Sequence, residues 1–242
     1  RATGRCDLPL LSAVAPGKTG GRGGAQNFTD VPQGPLTARH VADLCVFPNV
    51  VCGVEIDGAG LADWLEMAVS LFHTITPGGG EQSLIDQVWS GHGFDVIYGL
   101  TYEIDLSRPA RFHPDGSLAD PQARRIRDLR HAGHPVAPSD RFVVATNTYR
   151  ANGGGHVAAL AGLPRLDSGG VTLRQALEDM LSRGCLPEDP HAQVFRFAPL
   201  DGARIRFDTG HAARAHLAEL GPRDVRLGED QAGGFLQVSL AL

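Results

Sequence analysis

The longest alternation of apolar and polar positions runs through Phe94, Val96, Tyr98, Leu100, Tyr102 and Ile104. It predicts a single strand with Gly99 as a bulge. Val50, Cys52, Val54 and Ile56 alternate in the same way and predict a second strand, closed by an Asp57-Gly58 turn. The period then changes: Leu61, Trp64, Leu65, Ala68 and Phe72 recur at helical spacing, so an amphipathic helix follows, ended by Pro77-Gly78-Gly79-Gly80. Phe142 to Thr146 is a compact apolar run suited to a buried strand. Thr172-Leu173-Arg174-Gln175 is a capping box that opens a helix reaching about Ser182. Shorter elements are predicted as a strand at Leu8–Val14, a Thr37-capped helix holding Arg39, His40, Val41 and Leu44, and an exposed strand at Arg124–Arg130. A turn at His131–His134, a helix at His211–Leu220 and a last strand at Phe235–Leu240 complete the set. Strands and helices mix without regular β-α-β alternation, so the expected class is α+β rather than a doubly wound sheet. A Gly-Leu-Pro segment at 162–164 is the expected junction between a core at about 8–160 and a C-terminal extension at 165–242.

With 242 residues, 42% of them hydrophobic, the chain can bury a full core and is not of the disordered class. Its net charge of −5 repels phosphate backbones, which excludes a general nucleic-acid binder. No apolar run is long enough for a membrane span. Four cysteines (Cys6, Cys45, Cys52, Cys185) show no C-x-x-C spacing and no zinc signature. A Cys45–Cys52 bridge and buried free thiols both fit, the thiols better. The chain starts at Arg1 without methionine or a signal sequence, which agrees with a domain cut from a longer protein.

Chemistry is sparse. Gly17-Lys18-Thr19 resembles the end of a P-loop, but Ser12 replaces the motif's first glycine and the glycines at 20, 21, 23 and 24 oppose the helix that must follow. A glycine-rich loop carrying Lys18 and Arg22 can nonetheless approach an anion through its backbone amides. There is no H-E-x-x-H, no tight Asp/His cluster and no G-x-S-x-G elbow among the residues. Two segments stand out, Cys45-Val46-Phe47-Pro48-Asn49-Val50 and Ala145-Thr146-Asn147-Thr148-Tyr149-Arg150-Ala151-Asn152-Gly153-Gly154-Gly155. Each sets an aromatic at a strand edge beside turn formers, a placement suited to stacking on a flat nucleobase. Asn49 offers a donor and an acceptor to a base edge, and Gly153 and Gly154 leave room beside the backbone.

Phe47-Pro48-Asn49, Gly58 to Glu66, Phe94-Asp95-Val96-Ile97-Tyr98-Gly99, Ser107-Arg108-Pro109-Ala110-Arg111 and Asn147 to Gly154 together, in this order, resemble the C-terminal domain of the 5'-nucleotidase family. The resemblance is nearest to its periplasmic 2',3'-cyclic-nucleotide 2'-phosphodiesterase/3'-nucleotidase branch, and covers about 8–160 well and Phe195 to Leu200 more weakly. It implies a mixed, layered α/β domain that supplies the nucleoside pocket of a periplasmic phosphohydrolase. Phe47 and Tyr149 match the two base-stacking aromatics, and Asn49 matches a polar base contact; Asn152, Gly153 and Gly154 complete that turn. Lys18, Arg22 and Arg39 are the candidates for phosphate contact. The 5'-nucleotidase branch carries an Asp that contacts the ribose where this chain has Gly155, a departure that favours the cyclic-phosphodiesterase branch. The two divalent metals and the catalytic His-Asp pair of such enzymes belong to an N-terminal metallophosphoesterase domain of the same polypeptide, whose signature is absent from these residues. The chain by itself is therefore expected to be inactive, to take a nucleoside or nucleotide as its ligand, and to engage neither nucleic-acid polymer nor membrane. The alternatives are the same domain from a 5'-nucleotidase or UDP-sugar hydrolase, and a free-standing binding module without catalysis.

Overall fold

The computed structural model describes residues 7–185, 192–221 and 223–242; Cys6 lies outside them. Three mixed β-sheets share one hydrophobic core that runs from Leu11 to Ile205. The first sheet has the order β4 (Val96–Tyr98), β1 (Leu10–Val14), β8 (Arg141–Asn147), β2 (Val50–Asp57) and β9 (Arg165–Thr172). The second has β10 (Phe195–Phe197), β5 (Leu100–Ile104), β6 (Ile126–His131) and β7 (His134–Pro135). The third has β12 (Val225–Gln231), β13 (Phe235–Ala241), β11 (Ala203–Gly210) and β3 (Gly80–Ser83).

Among the described residues four α-helices join them: α1 (Ala38–Leu44), α2 (Gly58–Val69), α3 (Thr148–Ala151) and α4 (Leu173–Ser182). None of the described helices is long and apolar enough to cross a membrane. The capping residues predicted from sequence are in place. Thr37 and His40 form a reciprocal box at α1, and Thr172 and Gln175 form one at α4. Helix α2 starts where Asp57 accepts a hydrogen bond from the Gly60 amide at 2.8 Å.

Helix α2 is the centre of the molecule. Leu61, Trp64 and Leu65 are 0% exposed, and the helix packs against both β2 and β6. A helix enclosed on two sides must also satisfy its polar groups. Glu66 does so by accepting the backbone N–H groups of Arg125 and Ile126, both at 2.9 Å. The fully buried Arg125 guanidinium donates to the carbonyls of Val69 and Phe72 at 2.9 and 2.7 Å, covering groups that the helix end leaves open. Burial pulls Arg125 down to about 10, so it stays charged at neutral pH. The same burial pushes the Glu66 carboxyl up, against the pull of the two backbone donors.

One expectation is corrected. The alternating stretch 94–104 is two strands in two sheets: β4 pairs with β1, and β5 pairs with β6. The corner is Gly99, with φ of +95°, where an added Cβ meets the Leu11 side chain at 2.7 Å. The buried phase changes at the corner: in β4 Ile97 is 0% exposed while Tyr98 is 46% exposed, whereas β5 buries Leu100, Tyr102 and Ile104. The helix predicted at 211–220 is present, as a 3-10 helix. The segment after Pro164 enters the first sheet at once, as β9 beside β2, and later supplies β10 and β11 to the other two sheets. Cys45 and Cys52 are free thiols, both pushed up mainly by burial.

Candidate functional site

The strand registers of the first sheet bring five chain segments to one end. Parallel pairing of β1 with β8 aligns their C-termini. Antiparallel pairing sets Val14 beside Val96, Val51 beside Asn147 and Val50 beside Thr172. The Lys18–Arg22 loop, the Phe47–Asn49 loop, the turn holding His92, the Tyr149 turn and the start of α4 therefore all leave the sheet at the same end. Sheet ends of this kind are common ligand sites, because loops from several strands converge there.

The Phe47 loop is clipped from both sides. Arg174 of α4 donates to the Cys45 carbonyl at 3.0 Å, and the Leu173 amide donates to the Asn49 carbonyl at 2.9 Å. The Val50 amide donates to Thr148 Oγ1 at 3.2 Å, which joins this loop to the Tyr149 turn. Backbone is held while the aromatic stays out: Phe47 is 63% exposed and Tyr149 44%.

Beneath Tyr149 lies a buried network that sequence reasoning missed. Arg150 donates through Nε and Nη2 to the Asp95 carboxylate at 2.8 and 2.9 Å, and Trp64 Nε1 donates to the same carboxylate at 2.6 Å. Burial pushes the Asp95 carboxyl up, opposed by the Arg150 guanidinium and the Trp64 N–H. Arg150 also donates to the Gly154 carbonyl at 2.6 Å and the His92 carbonyl at 2.8 Å, so one guanidinium pins both flanks of Tyr149. Tyr149 Oη and His92 Nε2 share a hydrogen bond of 3.3 Å whose direction follows the imidazole tautomer. The signal in the sequence was slight: Asp95 is out of phase with Phe94, Val96 and Tyr98 and shares the parity of the buried Ile97, and Trp64 lies on the apolar stripe of α2.

The other predicted site residues fall out unevenly. Gly153 has open space around it, as expected. Gly154 does not leave room for a ligand: an added Cβ there lies 2.5 Å from the Tyr149 ring, so the ring itself fills the space. Asn152 Oδ1 accepts from Arg165 at 2.5 Å and braces the turn against β9. Lys18 is ion-paired with Asp43 of α1, whose carboxyl it holds below the usual range, so its charge is already compensated. Arg22 donates to the Val88 carbonyl at 3.4 Å, and Arg39 is an exposed residue on α1. Among the described residues no group of three or more His, Cys, Asp or Glu is arranged to hold a metal ion.

Gly155 has φ of +78°, and a Cβ there would stand 1.7 Å from Arg150 Nη1. Gly155→Ala is therefore expected to cost about 1–3 kcal/mol from overpacking and backbone strain. Gly153→Ala carries the same kind of backbone strain but no clash. Thermal unfolding should place Gly155→Ala several degrees below Gly153→Ala; equal melting temperatures would remove Arg150 from this role.

A Bacillus subtilis (strain 168) protein named trifunctional nucleotide phosphoesterase protein YfkN is 36% identical over 209 residues, which cover 86% of this chain and 14% of that protein. The Haemophilus influenzae 2',3'-cyclic-nucleotide 2'-phosphodiesterase/3'-nucleotidase is 44% identical over 151 residues, covering 60% of this chain and 23% of that protein. The chain thus spans less than a quarter of either relative. In fold, it resembles the 5'-nucleotidase precursor from Thermus thermophilus, with a TM-score of 0.57, 21% identity, and coverage of 78% of this chain and 31% of that one. Residues 11–162 match the family described as 5'-nucleotidase, C-terminal domain. The mixed sheets and the ordered motifs have one reading in common with these matches: the chain belongs to the 5'-nucleotidase C-terminal domain family.

Proposed function

We propose that this chain is the nucleoside-binding part of a longer periplasmic phosphohydrolase acting on 2',3'-cyclic nucleotides and 3'-nucleotides. The observation that carries this reading is the pair of exposed aromatics, Phe47 and Tyr149, at one end of one sheet on backbone held by hydrogen bonds. The base stacks between the two rings, and Asn49 reads its edge. Stacking needs only a flat π-face, so it binds tightly while tolerating any base. Arg22 and Arg39 stand nearest to the role of phosphate contact, since Lys18 is neutralised by Asp43.

Hydrolysis belongs to a metallophosphoesterase domain of the same polypeptide, which holds two divalent metals. The residues described here bind and orient the substrate, and no reacting bond is broken by them. Gly155 supports the cyclic-phosphodiesterase assignment over the 5'-nucleotidase one, because the Arg150 guanidinium occupies the space a side chain at 155 requires.

The test uses the 242-residue chain and the same chain joined to its metal-bearing domain. Calorimetric titration of the chain with adenosine and 3'-AMP should show binding, and no phosphate should be released from 3'-AMP, nor ring opening of 2',3'-cyclic AMP. The joined protein should hydrolyse both. Hydrolysis by the chain alone, or absence of nucleoside binding, overturns the reading.

A further inference from the structure

The loop that carries Phe47 is held by a part of the chain that lies past residue 162, where the family match ends. Strand β9 brings that part into place: its antiparallel pairing with β2 sets Thr172 beside Val50, the residue that follows Asn49. The first turn of α4 therefore opens directly against the end of the loop. The Leu173 amide is the first of the helix and has no acceptor within it. It donates instead to the Asn49 carbonyl at 2.9 Å. One residue on, the Arg174 guanidinium donates to the Cys45 carbonyl at 3.0 Å. The turn that makes both ties is itself fixed, because Thr172 Oγ1 accepts the Gln175 amide at 3.2 Å in a reciprocal capping box.

The two ties fall on the two ends of one short span. Cys45 is the residue at which α1 ends, and α4 also packs against α1. Asn49 is the last residue before β2. Between them Phe47 stands 63% exposed, next to Pro48, whose ring locks one backbone angle. A ring on a loose loop must be ordered by the ligand that stacks on it, and the cost of ordering is subtracted from the affinity. A loop fastened at both ends has given up that freedom before the ligand arrives. The two fastenings come from adjacent residues of one helix, so a single element sets the position of the ring and of the Asn49 backbone together.

Resting on the nucleoside-binding reading, we propose that Arg174 is a positioning residue for base recognition. With the Leu173 amide it presets the Phe47–Asn49 loop, so that a segment outside the family match sets how tightly the nucleoside is held. Arg174 acts through the Phe47 ring and not on the ligand.

The experiment titrates the 242-residue chain and its variants with adenosine and with 3'-AMP by calorimetry, after thermal unfolding has shown each variant folded at the titration temperature. Arg174→Met keeps the apolar stem and removes the donor; it should weaken adenosine about tenfold, or about 1.4 kcal/mol. Arg174→Lys keeps a charged donor and should recover part of that loss. Leu173→Pro tests the second tie and guards against a poorly folded Arg174 variant. Proline is accepted at the first helical position but has no N–H to give. Thr172 already has the extended backbone that a residue before proline needs, with φ of −76° and ψ of 156°. This variant should also weaken adenosine. In a Phe47→Ala background, Arg174→Met should weaken adenosine by no more than about twofold, because the ring it positions is gone. Unchanged adenosine affinity in Arg174→Met and Leu173→Pro overturns the assignment and leaves the stacking site standing. An equal loss with and without the Phe47 ring overturns it too, since Arg174 then acts by another route. A loss confined to 3'-AMP makes Arg174 a phosphate contact and likewise overturns it. If the unaltered chain binds neither adenosine nor 3'-AMP, the nucleoside-binding reading itself falls, and this inference with it.

Discussion

Asp95→Ala should lower the stability of the chain by about 3–5 kcal/mol, the cost typical of leaving one partner of a buried ion pair alone. Arg150 is 3% exposed, and two of its nitrogens donate to Asp95. Without the carboxylate, its charge keeps only the two carbonyl acceptors, and the fully buried Trp64 loses the acceptor for its indole N–H. At about 2–4 °C per kcal/mol for a chain of this size, the melting temperature should fall by roughly 6–20 °C. Arg150→Met in the same chain should recover part of the loss, since it removes the unpaired charge. Urea unfolding of the two single variants and the double variant separates that charge effect from simple loss of packing. A loss below about 1 kcal/mol for Asp95→Ala would show that the network does not hold the Tyr149 turn.

Phe47→Ala/Tyr149→Ala should reduce adenosine binding to below detection by calorimetry. Each ring stacked on a base is worth about 1–3 kcal/mol, roughly 5- to 150-fold in affinity, and the two losses fall on opposite faces of the same base. Phe47 is exposed and its ring makes no hydrogen bond, so Phe47→Ala alone should leave the melting temperature nearly unchanged. Tyr149→Phe is the useful companion: it keeps the stacking face and removes the bond to His92. It should retain most adenine affinity. Unchanged adenosine affinity in the double alanine variant would move the base elsewhere on the molecule.

Much of the local structure was legible along the chain. β2, α2, β8 and α4 stand where period and capping residues predicted them, because β2 and β8 are apolar runs buried inside the sheet and both helices open on a capping side chain. Strands β9, β11 and β12 were not legible. In β9, for example, Gly169 and Gly170 interrupt the pattern and most side chains face solvent, so pairing with β2 rather than apolar alternation makes it a strand. The division at Gly99 was hidden for another reason. The alternating set marks the buried face only in β5, since in β4 the buried residue is Ile97, and period carries no information on which neighbour each half joins.

The same division applies to the site. Phe47, Asn49 and Tyr149 are visible in sequence because aromatics beside turn formers are locally unusual, and the order of the surrounding motifs is specific to one family. Lys18, Arg150 and Gly154 are different. Lys18 looks like a spare cation until α1 brings Asp43 against it, and Arg150 looks like a solvated residue after an aromatic until the chain entering β4 sets Asp95 beneath it. Gly154 looks like room for a ligand until Tyr149 folds back over it. Sequence alone determined the elements with strong periodicity, the family and the aromatic pair, all of which depend on neighbours close in the chain. Only the tertiary structure decided which charges are already satisfied and which loops meet at one sheet end. Those outcomes depend on partners 25 to 129 residues away, as for Lys18 with Asp43, Arg150 with Asp95, Val50 with Thr148 and Cys45 with Arg174. Their energies are set by burial, which no short window of sequence contains.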